Sequence, residues 1–293
     1  MRDMSSISLD NGIRIHALQT GTVAVKERQR DGGGRSRRNL ARVLADGRWT
    51  EPLPILAWLI EHPEGLILVD TGETPRVAEP GYFTRWQPYF RFGLREHVAA
   101  EDGIGAQLRR LGFAPEDVRR VVLTHFHTDH AGGLPDVARS EIVCSEKDYR
   151  FAKGLLGKVR GFLPQHWPAD FAPTLADFGD GRFGPFATST TLTAAGDVHL
   201  LPTPGHTPGH LSVAVEDGDT VVLLAGDASY TERLMLDGVV DGVTPDVARA
   251  RESVGRIQEL VARRPTIYLP THDPESVARL LARQVTSAPK VAA

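Results

Sequence analysis

The chain has 293 residues, 41% of them hydrophobic and 24% charged, an ordinary globular composition for a single domain over 1–293 that can bury a sizeable core. A formal charge of -3 at pH 7 gives no global attraction to nucleic acid or to acidic membranes. Met1, Arg2 and Asp3 are followed by polar residues rather than by a signal-peptide core, and no apolar run approaches the roughly 18 residues of a membrane span, so a soluble, cytoplasmic protein without nucleic-acid or membrane partners is expected.

In chain order, RQRDGGGRSRR at 28–38 mixes glycine with arginine and cannot bury a face, which predicts a mobile, solvated loop. ILAWLI (55–60) and LILVD (66–70) read as buried strands. YFTRWQPYFRF (82–92), within an aromatic insertion at 76–100, holds Tyr82, Phe83, Trp86, Tyr89, Phe90 and Phe92. So many aromatic rings require a cover, and a second subunit together with a pocket edge is expected. GFLPQHWPADF, around Trp167, is a further candidate for the same wall. VVLT (121–124) is a strand, and EIVCSE places Cys144 at another strand end as a buried core residue; one cysteine excludes an intramolecular disulfide. LSVAV (211–215) and VVLLAGD (221–227) are strands. Thr244 and Pro245 predict an N-cap and N1 for a helix whose apolar face is Val247, Ala250, Val254, Ile257 and Val261, and Asp273–Pro274 repeats the device. Strands thus fall in two groups, near 12–70 and 186–226, with helices between and after them.

The chemistry is concentrated in LTHFHTDHAGG, where His125, His127, Asp129 and His130 follow an apolar strand. The chain's own composition yields HxHxDH by accident at roughly one in a thousand. Side-chain alternation at a strand end sends His125 and His127 to one side, and the following turn re-aims Asp129 and His130. Imidazole and carboxylate are suitable zinc ligands. TPGHTPGH adds His206, VVLLAGD adds Asp227 and IYLPTHD adds His272, each beside an apolar run. His210 could ligate too, but it reads as a supporting histidine. No GxSxG elbow is present, and Cys144 lies away from the cluster, so water activated by metal is the simpler nucleophile.

HxHxDH followed by a glycine-flanked His, a strand-end Asp and a late His is similar to the signature of the metallo-β-lactamase superfamily, in order over 55–273. The resemblance implies an α/β fold, a four-layer αββα sandwich. It also implies two divalent ions per chain, zinc foremost, with iron, cobalt or manganese acceptable to the same ligands. His125, His127 and His206 would hold one ion and Asp129, His130 and His272 the other, with Asp227 bridging and Asp70 of LILVDTG orienting a ligating histidine. GDASYTERL, TPGHTPGH and EGLILVDTG resemble the quorum-quenching N-acyl-homoserine lactone lactonases of that superfamily. This branch implies a homodimer, a small-molecule lactone substrate, attack by a metal-bridging hydroxide, and Tyr230 donating to the substrate carbonyl or its oxyanion. Asp129 would protonate the departing ring alkoxide. A β-lactamase would lack the bridging carboxylate, and a glyoxalase II-like thioesterase would add a C-terminal helical region where only 21 residues follow His272. Organophosphate or phosphoester, carboxylester and thioester hydrolysis remain open. A non-enzymatic binding protein would be expected to have lost ligands, and all seven are present.

Overall fold

A computed structural model describes residues 5–32, 39–84 and 86–287. Two sheets form its centre. The first contains β1 (Ser6–Ser8), β2 (Arg14–Val25), β3 (Leu53–His62), β4 (Gly65–Val69), β5 (Leu94–His97), β6 (Val118–Val122), β7 (Glu141–Ser145) and β8 (Thr174–Ala176). Its order is β1-β2-β3-β4-β6-β7-β8, with β5 paired to β2. The second contains β9 (Thr190–Thr191), β10 (Val198–Pro202), β11 (Leu211–Asp217), β12 (Thr220–Gly226) and β13 (Thr266–Pro270), in the order β13-β12-β11-β10-β9.

Alternation along the strands builds the layers. On β3, Leu56, Trp58 and Ile60 face the second sheet and share a core with Leu211, Val213, Val222 and Leu269. Ala57 and Leu59 face the other way, toward Ile104, Leu108 and Leu134. On the second sheet, Ala214, Leu223 and Tyr268 turn outward against Val254, Ile257 and Leu260 of the helix Val247–Arg263. Strands with both faces buried read as continuous apolar runs, which is why period-2 alternation is invisible in the sequence. Each fully buried Leu or Ile contributes roughly 1.5–3 kcal/mol, so the double core can hold polar loops rigidly at its edge. The architecture is the αββα sandwich. Among the described residues, no helix is long and apolar enough to cross a membrane.

Several local expectations change. The long helix is capped by Asp246, whose side chain accepts from Arg249 N–H; Thr244 instead donates its hydroxyl to Asp241. The helix Ser276–Leu281 starts after Asp273–Pro274; Asp273 Oδ1 accepts from Glu275 N–H at 3.0 Å, the bond of a cap, while Oδ2 is taken by Glu232 N–H and Arg279. The first sheet extends beyond 70 through β6, β7 and β8. The stretch expected as one loop at 28–38 begins as a short helix, Glu27–Arg30, with Gln29 buried. Gln29 is anchored by its backbone carbonyl, which accepts from Gly242 N–H at 2.7 Å; residues 33–38 lie outside the described residues. Cys144 is buried on β7.

Candidate metal centre

The parallel pairs β4–β6 and β12–β13 direct their C-terminal ends to the same side, and the loops leaving those ends carry Asp70, His125–His130, Asp227 and His272. The β10–β11 connection adds His206. A crevice beyond the carboxyl ends of parallel strands is the usual site of function in α/β sheets.

β6 ends at Val122, so His125 and His127 sit in a loop rather than on the strand, and Asp129 and His130 lie in the short helix Thr128–Ala131. Buried carboxylates supply the rigidity that a strand would have given. Asp70 Oδ1 accepts from Thr124 N–H at 2.8 Å and Asp148 Oδ2 from Phe126 N–H at 3.2 Å. Asp148 Oδ1 also accepts from Gly209 N–H at 3.1 Å, tying the HxHxDH loop to the loop that carries His206. Burial pushes the Asp148 carboxyl up to about 6, with Thr207, Gly209 and Phe126 opposing through hydrogen bonds. Gly226 precedes Asp227 with φ +57°, and a Cβ there would meet His210 Nε2 at 2.8 Å and Thr124 Cβ at 2.9 Å. The close approach and the left-handed backbone both require glycine.

Four imidazoles have one nitrogen committed to a fixed partner. The Nδ1 atoms of His130, His206 and His272 donate to Asp70 Oδ2 at 2.8 Å, Asp241 Oδ2 at 3.0 Å and the Pro54 carbonyl at 2.9 Å. His125 Nδ1 lies 3.1 Å from the Thr124 hydroxyl, which itself donates to Asp70 Oδ2. These bonds set the tautomer and leave a lone pair on each Nε2. His125 Nε2 and His206 Nε2 then lie 2.9 and 3.0 Å from His127 Nδ1. Asp227 Oδ2 is 3.3 Å from His206 Nε2, while Oδ1 is 3.3 Å from His130 Nε2 and 3.4 Å from His272 Nε2. Asp129 Oδ2 is 3.3 Å from His272 Nε2. Among the described residues, three groups have ligand atoms all within 4.8 Å of one another: His125, His127 and His206; His125, His130 and Asp227; and Asp129, His130 and His272. All seven residues singled out in the sequence therefore meet.

The donor set fits a metal. His130 Nε2 and Asp227 Oδ1 are buried without a hydrogen-bond partner, a costly arrangement unless something polar sits between them. Ligand atoms about 2.1 Å from a tetrahedral ion stand about 3.4 Å apart, close to the separations above. Electrostatics point the same way. Burial, then the imidazoles of His130, His127 and His206, hold His125 well below the ordinary imidazole range. His127 is brought down to about 3 by burial and His206, so both rings are neutral donors of a lone pair. Burial also opposes charge on His130 and His272, yet the surrounding carboxylates together outweigh it: Asp227, Asp70 and Asp129 raise His130 well above the ordinary range, and Asp227 and Asp129 raise His272 to about 10. Without an ion, this carboxylate-rich half takes up protons; a divalent cation would replace them.

His210 is not among the grouped ligands: its Nε2 accepts from Asp227 N–H at 3.0 Å and its Nδ1 lies 2.9 Å from the Thr203 hydroxyl. Burial, then His206, lowers it to about 3, in keeping with a neutral acceptor. Asp241, Asp148 and Gln29 escaped the sequence reading. Asp241 sits in a glycine-containing loop with no motif around it, and Gln29 was hidden among arginines.

Beside the cage, the Tyr230 ring stacks on His272 with centroids 5.4 Å apart. Its hydroxyl oxygen accepts from Gln29 Nε2 at 2.8 Å, and the same Nε2 donates to Tyr89 Oη at 2.8 Å. Because Tyr230 accepts there, its own proton stays available. Burial, then Tyr89 and Asp227, raises the phenol well above its ordinary range. A cleft, open at its mouth, runs over the cage between apolar residues including Val25, Leu94, Phe151, Phe162 and Val243, with Arg160 near Gly161 on its wall. Of the aromatic insertion, Tyr89 and Phe90 line this cleft, Tyr82 is buried against His166, and Trp86 and Phe92 are exposed. Trp167 is not in the cleft wall; it packs behind the histidine loop on Phe126, at 4.7 Å between centroids.

The family model described as the metallo-beta-lactamase superfamily matches residues 50–272. A probable metallo-hydrolase of Mycobacterium tuberculosis is 36% identical over 203 residues, which are 67% of this chain and 62% of that protein; the chain thus spans about three fifths of that relative's length. The N-acyl homoserine lactonase AiiA of Bacillus thuringiensis subsp. kurstaki is 31% identical over 226 residues, 76% of this chain and 82% of that one. A solved structure of a B. thuringiensis AiiA variant, with N-decanoyl-L-homoserine bound at its active site, matches with a TM-score of 0.73 at 25% identity, covering 92% of this chain and 95% of that one. The sandwich, the convergent His and Asp side chains and a match over most of the length agree: the chain belongs to the metallo-beta-lactamase superfamily.

Proposed function

We propose that the protein is a metal-dependent hydrolase that opens the lactone ring of N-acyl homoserine lactones, with His125, His127 and His206 holding one divalent ion, Asp129, His130 and His272 a second, and Asp227 reaching both. The observation that carries this reading is the convergence of the tautomer-fixed Nε2 atoms of His130, His206 and His272 on Asp227, with Tyr230 stacked beside them on His272. Four carboxylates, Asp70, Asp129, Asp227 and Asp241, surround the imidazoles, a charge that two divalent ions balance. Zinc suits the imidazole-rich group, and the carboxylate-richer group also accepts iron, cobalt or manganese. Ions held there would supply Lewis acidity toward the carbonyl and a water acidified enough to attack near neutral pH.

The chain's own residues perform the rest. Tyr230 donates a hydrogen bond from its hydroxyl to the lactone carbonyl oxygen as negative charge develops on it, keeping its own proton. Asp129 is the proton carrier. Burial would raise its carboxyl, but His130 and His272 hold it at about 2, so it is ionised at rest and, once it has taken a proton from the attacking water, gives it up readily to the ring oxygen as the C–O bond breaks. The apolar cleft walls exclude water and take the acyl chain. The test is a turnover screen of N-acyl homoserine lactones of graded chain length against simple lactones, carboxylesters, thioesters and phosphotriesters on one metal-loaded preparation. Preference for the acylated lactones is expected; phosphotriester turnover exceeding lactone turnover would replace the reading.

Two further outcomes are expected. Asp241→Ala leaves His206 without its orienting acceptor and should weaken metal retention about ten- to a hundredfold in chelator competition; unchanged retention would contradict that role. A homodimer joined through the aromatic insertion is proposed on the exposure of Trp86 at 60% and Phe92 at 51%. Light scattering should find a dimer that Trp86→Glu with Phe92→Glu converts to a monomer; a monomeric wild type would remove the proposal.

A further inference from the structure

Gln29 is 2% exposed and lines the cleft. Its amide is used on one side only: Nε2 donates to the hydroxyls of Tyr230 and Tyr89, both at 2.8 Å, while Oε1 is buried with no hydrogen-bond partner. A carboxamide oxygen left unpaired away from water is destabilising, so a partner that arrives with the ligand would relieve it. Its backbone is fixed by the loop that carries Asp241, since the Gln29 carbonyl accepts from Gly242 N–H at 2.7 Å, and the side chain cannot turn away without releasing both tyrosines.

Covalent geometry limits what can reach it. The oxygen and nitrogen of one carboxamide lie about 2.3 Å apart, and in an α-amido carbonyl the carbonyl oxygen and the α-nitrogen lie about 3 Å apart. A lactone whose carbonyl oxygen accepts from Tyr230, itself 2.8 Å from Gln29 Nε2, would meet Oε1 only through a substituent on its α-carbon that points to the Gln29 side of the cleft. An acceptor with no other partner selects a donor. We propose that Gln29 is the specificity residue of the cleft, its Oε1 accepting the N–H of an acylamino group on the carbon next to the lactone carbonyl while its Nε2 holds Tyr230 in place. The inference rests on the lactonase reading and adds to it the chemical group that separates α-acylamino lactones from lactones lacking an N–H. A site built to pair a substrate N–H rejects the analogue without it more strongly than an apolar pocket rejects a shorter chain, because the site's own acceptor is then left unpaired.

The experiment compares ring opening of an N-acyl homoserine lactone with that of the α-acyloxy γ-lactone of equal chain length, in which oxygen replaces N–H, following products by mass. Wild type should favour the amide by about tenfold to a hundredfold in kcat/KM. Gln29→Leu should slow both substrates through loss of the Tyr230 contact, and the preference should fall to about threefold or less. A preference that persists in Gln29→Leu, or a wild type indifferent to the N–H, overturns the assignment while leaving the lactonase intact. A wild type that opens neither lactone but cleaves another ester class removes the lactonase reading itself. Should Gln29→Leu fail to fold, the wild-type comparison decides, with Gln29→Met as the second variant.

Discussion

Asp227→Ala is expected to reduce lactone hydrolysis by about a thousandfold or more and to lower the metal content of the purified protein. Asp227 faces both halves of the cage, Oδ2 at 3.3 Å from His206 Nε2 and Oδ1 at 3.3 and 3.4 Å from His130 and His272. Its position is set by the left-handed Gly226 before it and by His210 accepting its N–H, so no neighbour can move in as a substitute. Burial opposes its ionisation, but His272 and His130 hold the carboxyl well below the usual range. It is therefore a permanent anion at the centre of the site. Asp227→Asn keeps the shape and removes the charge; it should retain the fold and lose metal and turnover alike. Metal analysis and kinetics on both variants check this, and near wild-type turnover with full metal in either would contradict the bridging role.

Tyr230→Phe is expected to slow ring opening by about ten- to a thousandfold, chiefly in kcat. The ring would keep its stacking on His272, so the variant isolates the hydroxyl. The phenol is kept protonated by its surroundings, and Gln29 donates to its oxygen, which leaves the hydroxyl a donor with one remaining direction to serve. A donor aimed at developing charge contributes more in the transition state than with bound substrate. A drop confined to KM would place the hydroxyl in ground-state binding, and an unchanged rate would assign Tyr230 to packing.

The seven convergent residues were legible because each stands beside an apolar strand in a distinctive string, and strand ends are where a sandwich can bring distant segments together. What aims them was not legible. Asp241 reaches His206 across 35 residues of sequence, and Asp148 reaches Gly209 across 61 and Phe126 across 22, and neither carries a local pattern. Pro54 contributes only a backbone carbonyl to His272, which no side-chain motif records. Gln29 was lost because the composition around it describes a solvated segment, whereas one buried amide and one backbone bond to Gly242 fix its place. The start of the long helix moved for a similar reason: Thr244 has the right chemistry for a cap but is engaged by Asp241. The aromatic insertion shows how one compositional signal divides in space, with Tyr89 and Phe90 in the cleft and Trp86 and Phe92 facing outward.

The central claim is that the convergent His and Asp side chains hold two ions on which lactone opening depends. Protein stripped by chelator and titrated with zinc, manganese, cobalt or ferrous iron should be followed in one series for bound ions per chain and for N-acyl homoserine lactone turnover. About two ions per chain, with turnover lost on stripping and restored in step with occupancy, is the expected result. A folded protein that retains no ions, or that opens the lactone equally well without them, would contradict it.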